Sequence, residues 1–399
     1  MVANIKSGFG VFRRNLVLVF LLFIVLFMSL FVCVLTSVYR VDSGFEGVVR
    51  VSTEVDLKIA ITGAAHNLPV VIVLDGDITL TESLVISDSK DVTLMSNSVA
   101  KFYKLIGVNA KAVNIMYTIF VESGGTLKLD GIIVTHAAGK HGSGVCNMGK
   151  FVLYNGVIAG NTAYDIGGGV YNRGVFEMYG GEIYDNVAPY SGGGVYNFPG
   201  SDFTMFGGKI HENKSDESVK GGGLFGDGGG VYNGGIFKLF DGEISGNTVK
   251  RAGGGVYNNG VFEMYGGTVF DNVAEDKGGG VCSSSMFDSA YGACFVLYDG
   301  VISDNTANIG GGVCVDTKFD MFNGTIFNNS AKLSGGGVYI GRGIVNVTGG
   351  KISGNTAIWG GGVYNDNGNL NGHKTVVSDN KASNGNDVYT SNGSSWSQK

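Results

Sequence analysis

The sequence predicts an all-β architecture, a single-stranded right-handed parallel β-helix of about 12 rungs, on three observations. The first is a tetrapeptide, GGGV (GSGV in its first copy), carrying Val145, Val170, Val195, Val231, Val256, Val281, Val313, Val338 and Val363. Six of the eight intervals are 25 residues, and the other two, 36 and 32, are the same unit with insertions. The second is period-two alternation inside each unit, as in VYN and FEMY of GGGVYNRGVFEMYGGEIYDN (167–186), which is strand spacing and not helix spacing. The third is composition: 69 glycines and 3 prolines in 399 residues, with 44% hydrophobic and 11% aromatic residues. Collagen and disordered linkers do not carry that apolar content, so the glycines belong to turns between short packed strands.

Each unit offers about three short strands, too few to bury an apolar face alone, so neighbouring units must stack. A propeller blade needs roughly 40 residues and four strands, which 25 residues cannot supply. Three columns then fill the bore. Phe151, Phe176, Phe203, Phe237, Phe262, Phe295 and Phe319 form the first, closed by Val345. Two residues later come Leu153, Met178, Met205, Leu239, Met264, Leu297 and Met321, and a third column runs from Ile158 to Val377. An asparagine follows the third column in every unit, from Asn161 to Asn380, and a second asparagine column follows VY at Asn147, Asn172, Asn197, Asn233, Asn258 and Asn365. Stacked amides hydrogen-bond along the axis and hold tight turns, which is a structural role.

Ahead of the repeats, residues 69–80, 83–96 and 118–136 read as three irregular rungs. Thr53 with Asp56 makes a capping box, and Leu57, Ala60, Ile61 and Ala64 recur at helical spacing, which predicts an amphipathic helix over 53–65 covering the end of the coil. Leu16 to Thr36 is an apolar run of 21 residues broken only by Ser29 and Cys33, long enough to span a hydrocarbon core of roughly 30 Å. Lys6, Arg13 and Arg14 precede it, so the positive-inside tendency keeps residues 1–15 in the cytoplasm and sends the rest outside. The expected organisation is a cytoplasmic N-terminus (1–15), a signal-anchor helix (16–38), a linker (39–52), the cap (53–65), the β-helix (66–382, with nine GGGV repeats from about 142) and a polar tail (383–399). Cleavage of the apolar run and secretion is the alternative, although its exit, VCVLTSVYR, has no clean small-x-small site.

With GGGV and I-x-x-N in register, the chain resembles the polymorphic outer-membrane-protein repeat, whose hallmarks are GGA-aliphatic and F-x-x-N. It is similar more broadly to adhesin-like, pectin-lyase-type β-helix proteins of bacterial and archaeal cell surfaces. The resemblance covers 51–380 and implies a right-handed β-helix outside the cell. That fold carries adhesins, autotransporter passengers and polysaccharide-cleaving enzymes, so the function it implies is a class only. Two departures stand out: no C-terminal outer-membrane barrel follows, and a third glycine replaces the family's alanine.

The expected function is a non-catalytic, adhesin-like or structural scaffold at the cell surface, with a polysaccharide lyase or glycoside hydrolase as the alternative. No catalytic residue, metal ligand or cofactor is nominated. Acidic residues scatter: Glu177, Lys238, Glu263 and Asp320 share an outward column of mixed sign, Asp75 and Asp77 flank a turn glycine, and His136 and His141 sit beside Lys140 in what reads as a loop. Binding is expected from aromatics. One outward column is Tyr171, Tyr196, Tyr232, Tyr257, Tyr339 and Tyr364; a second is Tyr154, Tyr179, Phe206, Phe240, Tyr265, Tyr298 and Phe322. Both also stabilise strands by packing alone. Insertions at 214–227 and 283–293 add Phe225, Phe287 and Tyr291, since repeat scaffolds project function from loops. Partners would be glycans or surface proteins and, through the anchor, the membrane; a net charge of −6 argues against nucleic acid. Cys282 and Cys314 take the tyrosine position on consecutive rungs, inside disulfide range, with Cys294 in the neighbouring insertion as a competitor.

Overall fold

The computed structural model describes residues 48–98, 101–108, 117–216, 226–285, 292–372 and 375–391. These form a parallel β-solenoid of about 13 turns, one more than the periodicity predicts. The added strand is Val48–Val51, which pairs with Pro69–Leu74 from within the stretch read as a linker. At the other end Lys381–Asn384 and Val388–Thr390 carry the coil past 382. The apolar run Leu16–Thr36 lies outside the described residues, and among the described residues no helix is long and apolar enough to cross a membrane.

Strands stack turn on turn in register. Phe151 pairs with Phe176, Ile158 with Ile183 and Val170 with Val195, each 25 residues on. The phenylalanine and isoleucine columns belong to one 23-stranded sheet, and the valine column to a 12-stranded sheet. An 8-stranded sheet begins at Val187–Ala188, so most repeats have four strands and not three. The fourth strand escapes a pattern reading because it starts at two residues, too short to show alternation.

The bore is filled as the columns predict. All seven column phenylalanines are fully buried, with successive ring centroids 4.6–4.9 Å apart. Truncating any of them to Ala would cost about 3–5 kcal/mol. Burying polar groups here requires that each be paired. The I-x-x-N column meets this: Asn186 Nδ2 donates to Asn213 Oδ1 at 3.0 Å and to the Ile158 carbonyl at 2.8 Å, while its backbone N–H reaches the same Asn213 oxygen at 3.1 Å. The pattern repeats to Asn380. The VYN column is a second such ladder, from Asn147 to Asn258.

Left-handed backbone falls on the residue before each I-x-x-N asparagine, not on the asparagine itself. Gly160, Asp185, Glu212, Gly246, Asp271, Asp304, Asn328, Gly354 and Asp379 all have φ between 51° and 69°. Glycine, Asp and Asn tolerate that region best, which accounts for nearly all of the column.

Each glycine of GGG has its own cause. The first, as Gly167 (φ 64°), is left-handed. A Cβ on the second, Gly168, would stand 2.3 Å from the Gly193 carbonyl of the next turn, and on the third, Gly169, 2.7 Å from the Gly194 carbonyl. The third position therefore has no room for the alanine of the family resemblance unless the turns move apart.

The predicted cap is helix α1 (Glu54–Gly63), whose Leu57 and Ile61 join the same buried cluster as the first rungs. Thr53 Oγ1 accepts from the Asp56 N–H at 3.2 Å, the expected N-cap. At the other end the buried Lys90 ammonium donates to the Thr62 carbonyl at 3.1 Å and to the Ala64 carbonyl, placing a cation on the negative end of the helix dipole.

Candidate binding surfaces

The tyrosines after the core valine line up in two runs, Tyr171, Tyr196, Tyr232 and Tyr257, then Tyr339, Tyr364 and Tyr389, with centroids 4.5–5.8 Å apart; all neighbours stack except Tyr171 and Tyr196, which are tilted by 34°. They point away from the bore, as alternation requires, but they do not form an open platform. Tyr257 is 2% exposed and Tyr232 9%, packed with Ala252, Cys282 and Cys314 in a small core outside the main one. The cover comes from the residues just ahead of each GGG. Ser191, Asp227, Ala252 and Lys277 bridge turn to turn as a parallel row. The left-handed glycine that follows turns the chain so closely that a Cβ on Gly253 would meet the Tyr257 backbone at 2.5 Å. Within this cover Arg251 Nε donates to the fully buried Asp227 carboxylate at 2.8 Å, a second guanidinium nitrogen bonds the other oxygen, and the guanidinium stands over the Tyr257 ring. Burial, with Cys282 and Asp227 close by, pushes the Tyr257 phenol well above its ordinary range. The sequence expectation of an outward, binding tyrosine column is thus corrected over its middle: those rings are structural.

The second aromatic column is the open one. Tyr154, Tyr179, Phe206, Phe240, Tyr265, Tyr298 and Phe322 stack on consecutive turns with centroids 4.6–5.5 Å apart. Phe240, Tyr265, Tyr298 and Phe322 are exposed. The residues that follow them turn directly through a Gly-Gly, Asp-Gly or Asn-Gly pair into the isoleucine ladder. Partial burial, with Glu263 beside it, pushes Tyr265 up to about 12. Acidic residues of the flanking column are ion-paired, Glu177 with Lys150 at 3.0 Å and Glu263 with Lys238 at 3.8 Å between turns, and Asp320 with Lys318 at 2.6 Å within one strand.

Phe225, Phe287 and Tyr291 lie outside the described residues. The stems of the first insertion are tied down: Asp216 pairs with Lys214 at 2.5 Å and Lys250 at 3.0 Å on the entry side, and Asp227 with Arg251 on the exit side.

Cys282 and Cys314 are register partners, as their spacing predicts, and both are buried free thiols. Their mutual hydrogen bond and burial raise the Cys282 thiol well above its ordinary value. Cys294 instead begins a strand of the phenylalanine ladder, opposite Val261 and Lys318. Burial pushes the Cys146 thiol, on the same column as the tyrosines, up to about 12.

His136 is not in a loop. It ends the strand Thr126–His136, 8% exposed, with Nδ1 3.1 Å from Thr118 Oγ1 and 3.1 Å from Asn161 Oδ1, so it tops the asparagine ladder. Burial lowers its pKa. Asp75 meets Arg50 at 2.9 Å, and Asp77 accepts the Lys104 N–H at 3.0 Å. Among the described residues no three His, Cys, Asp or Glu side chains group as a metal site.

In comparisons with known proteins, no family model, no curated protein and no solved structure matches the chain.

Proposed function

We propose that this chain is an adhesin-like surface protein: a right-handed β-helix of the pectin-lyase-like kind, tethered through Leu16–Thr36, that binds a glycan or protein partner without catalysis. The observation that carries the reading is the open aromatic ladder. Buried phenylalanines already fill the bore, and a stripe of apolar rings running along seven turns of the outside is more than the fold requires. Stacking stabilises neighbouring strands, but that gain is equally available to rings under a cover, as in the tyrosine column.

The test is adhesion by the full chain displayed on cells, read on glycan arrays and on immobilised surface proteins, against a variant with Phe240→Ser, Tyr298→Ser and Phe322→Ser. A loss of at least about tenfold in binding with little change in melting supports the reading, tenfold being about 1.4 kcal/mol. Equal binding by both chains would overturn it. Release of reducing ends or unsaturated uronates from a polysaccharide panel would move the assignment to the enzyme alternative. Protease accessibility of the β-helix on intact cells tests the tether.

A further inference from the structure

Stacked rings consume one another's faces. Within the open ladder each ring lies between two neighbours at interplanar angles of 6–17° from Tyr179 to Phe322, so interior rings offer edges to solvent and little face. Only a terminal ring has a free face. At the N-terminal end Tyr154 is half-buried. At the C-terminal end Phe322 is 50% exposed, against 36–40% for Phe240, Tyr265 and Tyr298. Its upper face rests on Tyr298 at 5.4 Å, and on the following turn the column continues not with a ring but with Thr348, held by its backbone N–H to the Met321 carbonyl at 2.8 Å. The ring overhangs a small side chain, which makes a ledge.

The column beside this ledge changes character at the same height. On earlier turns it carries Lys238 paired with Glu263, and then Asp320 paired with Lys318; on the next two turns it continues as the neutral amides Asn346 and Asn371, register partners of Asp320. Asn346 Nδ2 donates to Asp320 Oδ1 at 2.7 Å, and Asn371 Nδ2 donates to Asn346 Oδ1 at 2.9 Å. Each amide spends one N–H in this chain and keeps the other, and Asn371 keeps its carbonyl oxygen. Asp320 lies in the strand Lys318–Met321 and Phe322 follows that strand directly, so the two Cα atoms are within about 7 Å.

We infer that this ledge is a saccharide subsite: the free face of Phe322 takes the apolar face of a pyranose ring, and Asn346 and Asn371 hydrogen-bond its hydroxyls. The pairing of an aromatic face with neutral amides selects that chemistry. A lipid or an apolar peptide would leave the amides unpaired at a cost. The inference rests on the binding function proposed above and narrows it to one class of ligand at one end of the ladder.

The experiment is isothermal titration of the full chain with linear hexasaccharides of glucose, N-acetylglucosamine, xylose, mannose or galacturonic acid. At least one should bind. Phe322→Ala should then weaken binding at least about tenfold. Asn346→Ala and Asn371→Ala should each weaken it several-fold, Phe240→Ala by less than about twofold, and the melting temperature of Phe322→Ala should stay close to that of the parent chain. Binding unchanged by Phe322→Ala, an equal loss from Phe240→Ala, or no binding to any hexasaccharide would each overturn the ledge. If cells displaying the chain still adhere while no hexasaccharide binds, the ledge fails and the adhesion reading stands.

Discussion

The two outward aromatic columns recur at the same rung spacing, yet one is a wall and the other a surface. Tyr257 is 2% exposed and Tyr265, its counterpart on the same turn, 36%. Both follow a core residue by one position, so inside–outside alternation treats them alike. What separates them is the chain nearby. Ahead of Tyr257 a left-handed glycine folds Arg251 and Ala252 back across the ring, whereas Tyr265 is followed by a glycine pair that carries the chain away. Facing outward is thus a property of the strand, and being accessible is a property of the loops around it.

The largest expected effect separates the columns by stability. Tyr257→Ala should cost about 3–5 kcal/mol, the range for emptying a buried aromatic site. Phe240→Ala should cost within about 1 kcal/mol, since an exposed ring loses only its stacking. Denaturant unfolding of the two variants checks this, and similar costs would erase the distinction. Because solenoids can unfold in segments, the comparison uses the transition of the central repeats.

The cover itself can be broken next. Arg251→Met leaves the Asp227 carboxylate buried without its cation, for an expected loss of about 3 kcal/mol. Adding Asp227→Leu should recover most of it, because two apolar groups replace the pair. A double variant no more stable than Arg251→Met would show that the ion pair does not hold the cover.

A smaller effect is expected in alkali. The folded-state pKa of Tyr257 lies above the unfolded value of 10.0, so the stability that its neutral form contributes is present below pH 10 and lost as the pH rises beyond it. Urea midpoints measured from pH 9 to 11.5 should fall above pH 10, and Tyr257→Phe should flatten that fall. A midpoint indifferent to pH in the parent chain would count against a buried phenol.

His136 gives the smallest term, with opposite sign. Its folded-state pKa is below the ordinary histidine value of 6.5, so the unfolded chain takes up the proton more readily and stability declines as the pH falls through that value. His136→Asn, which keeps an amide at the head of the ladder, should remove this part of the acid dependence; an unchanged acid limb would argue that other groups carry it.

Much of this architecture was legible in the sequence because it repeats in register. The phenylalanine, isoleucine and asparagine columns each recur at one position per turn, and a position that must fit its copies above and below reveals its environment by its residue type. The fourth strand was not legible, since Val187–Ala188, Lys214–Ser215 and Thr248–Val249 share neither length enough nor a common apolar residue. The tyrosine cover was hidden for a related reason: the row that makes it reads Ser191, Asp227, Ala252, Lys277, with no chemistry in common from turn to turn. His136 looked like loop because it closes an irregular rung, where no neighbouring copy exists to compare. The ledge at Phe322 depends on where a pattern stops, at Thr348, and a reading tuned to recurrence passes over such an ending.

The triple glycine has a further meaning for how such a molecule can vary over generations. At Gly168 and Gly169 the wall is bare main chain set against the main chain of the neighbouring turn, and an added methyl group would press on that neighbour, whose own glycines press on the next. Substitution there is a change in pitch felt from turn to turn, while the sequence insertions leave the described turns on either side of them in register. New recognition can therefore be gained at insertions and ladder ends, and length by adding whole turns, while the glycine edge stays fixed as the seam that keeps the turns in step.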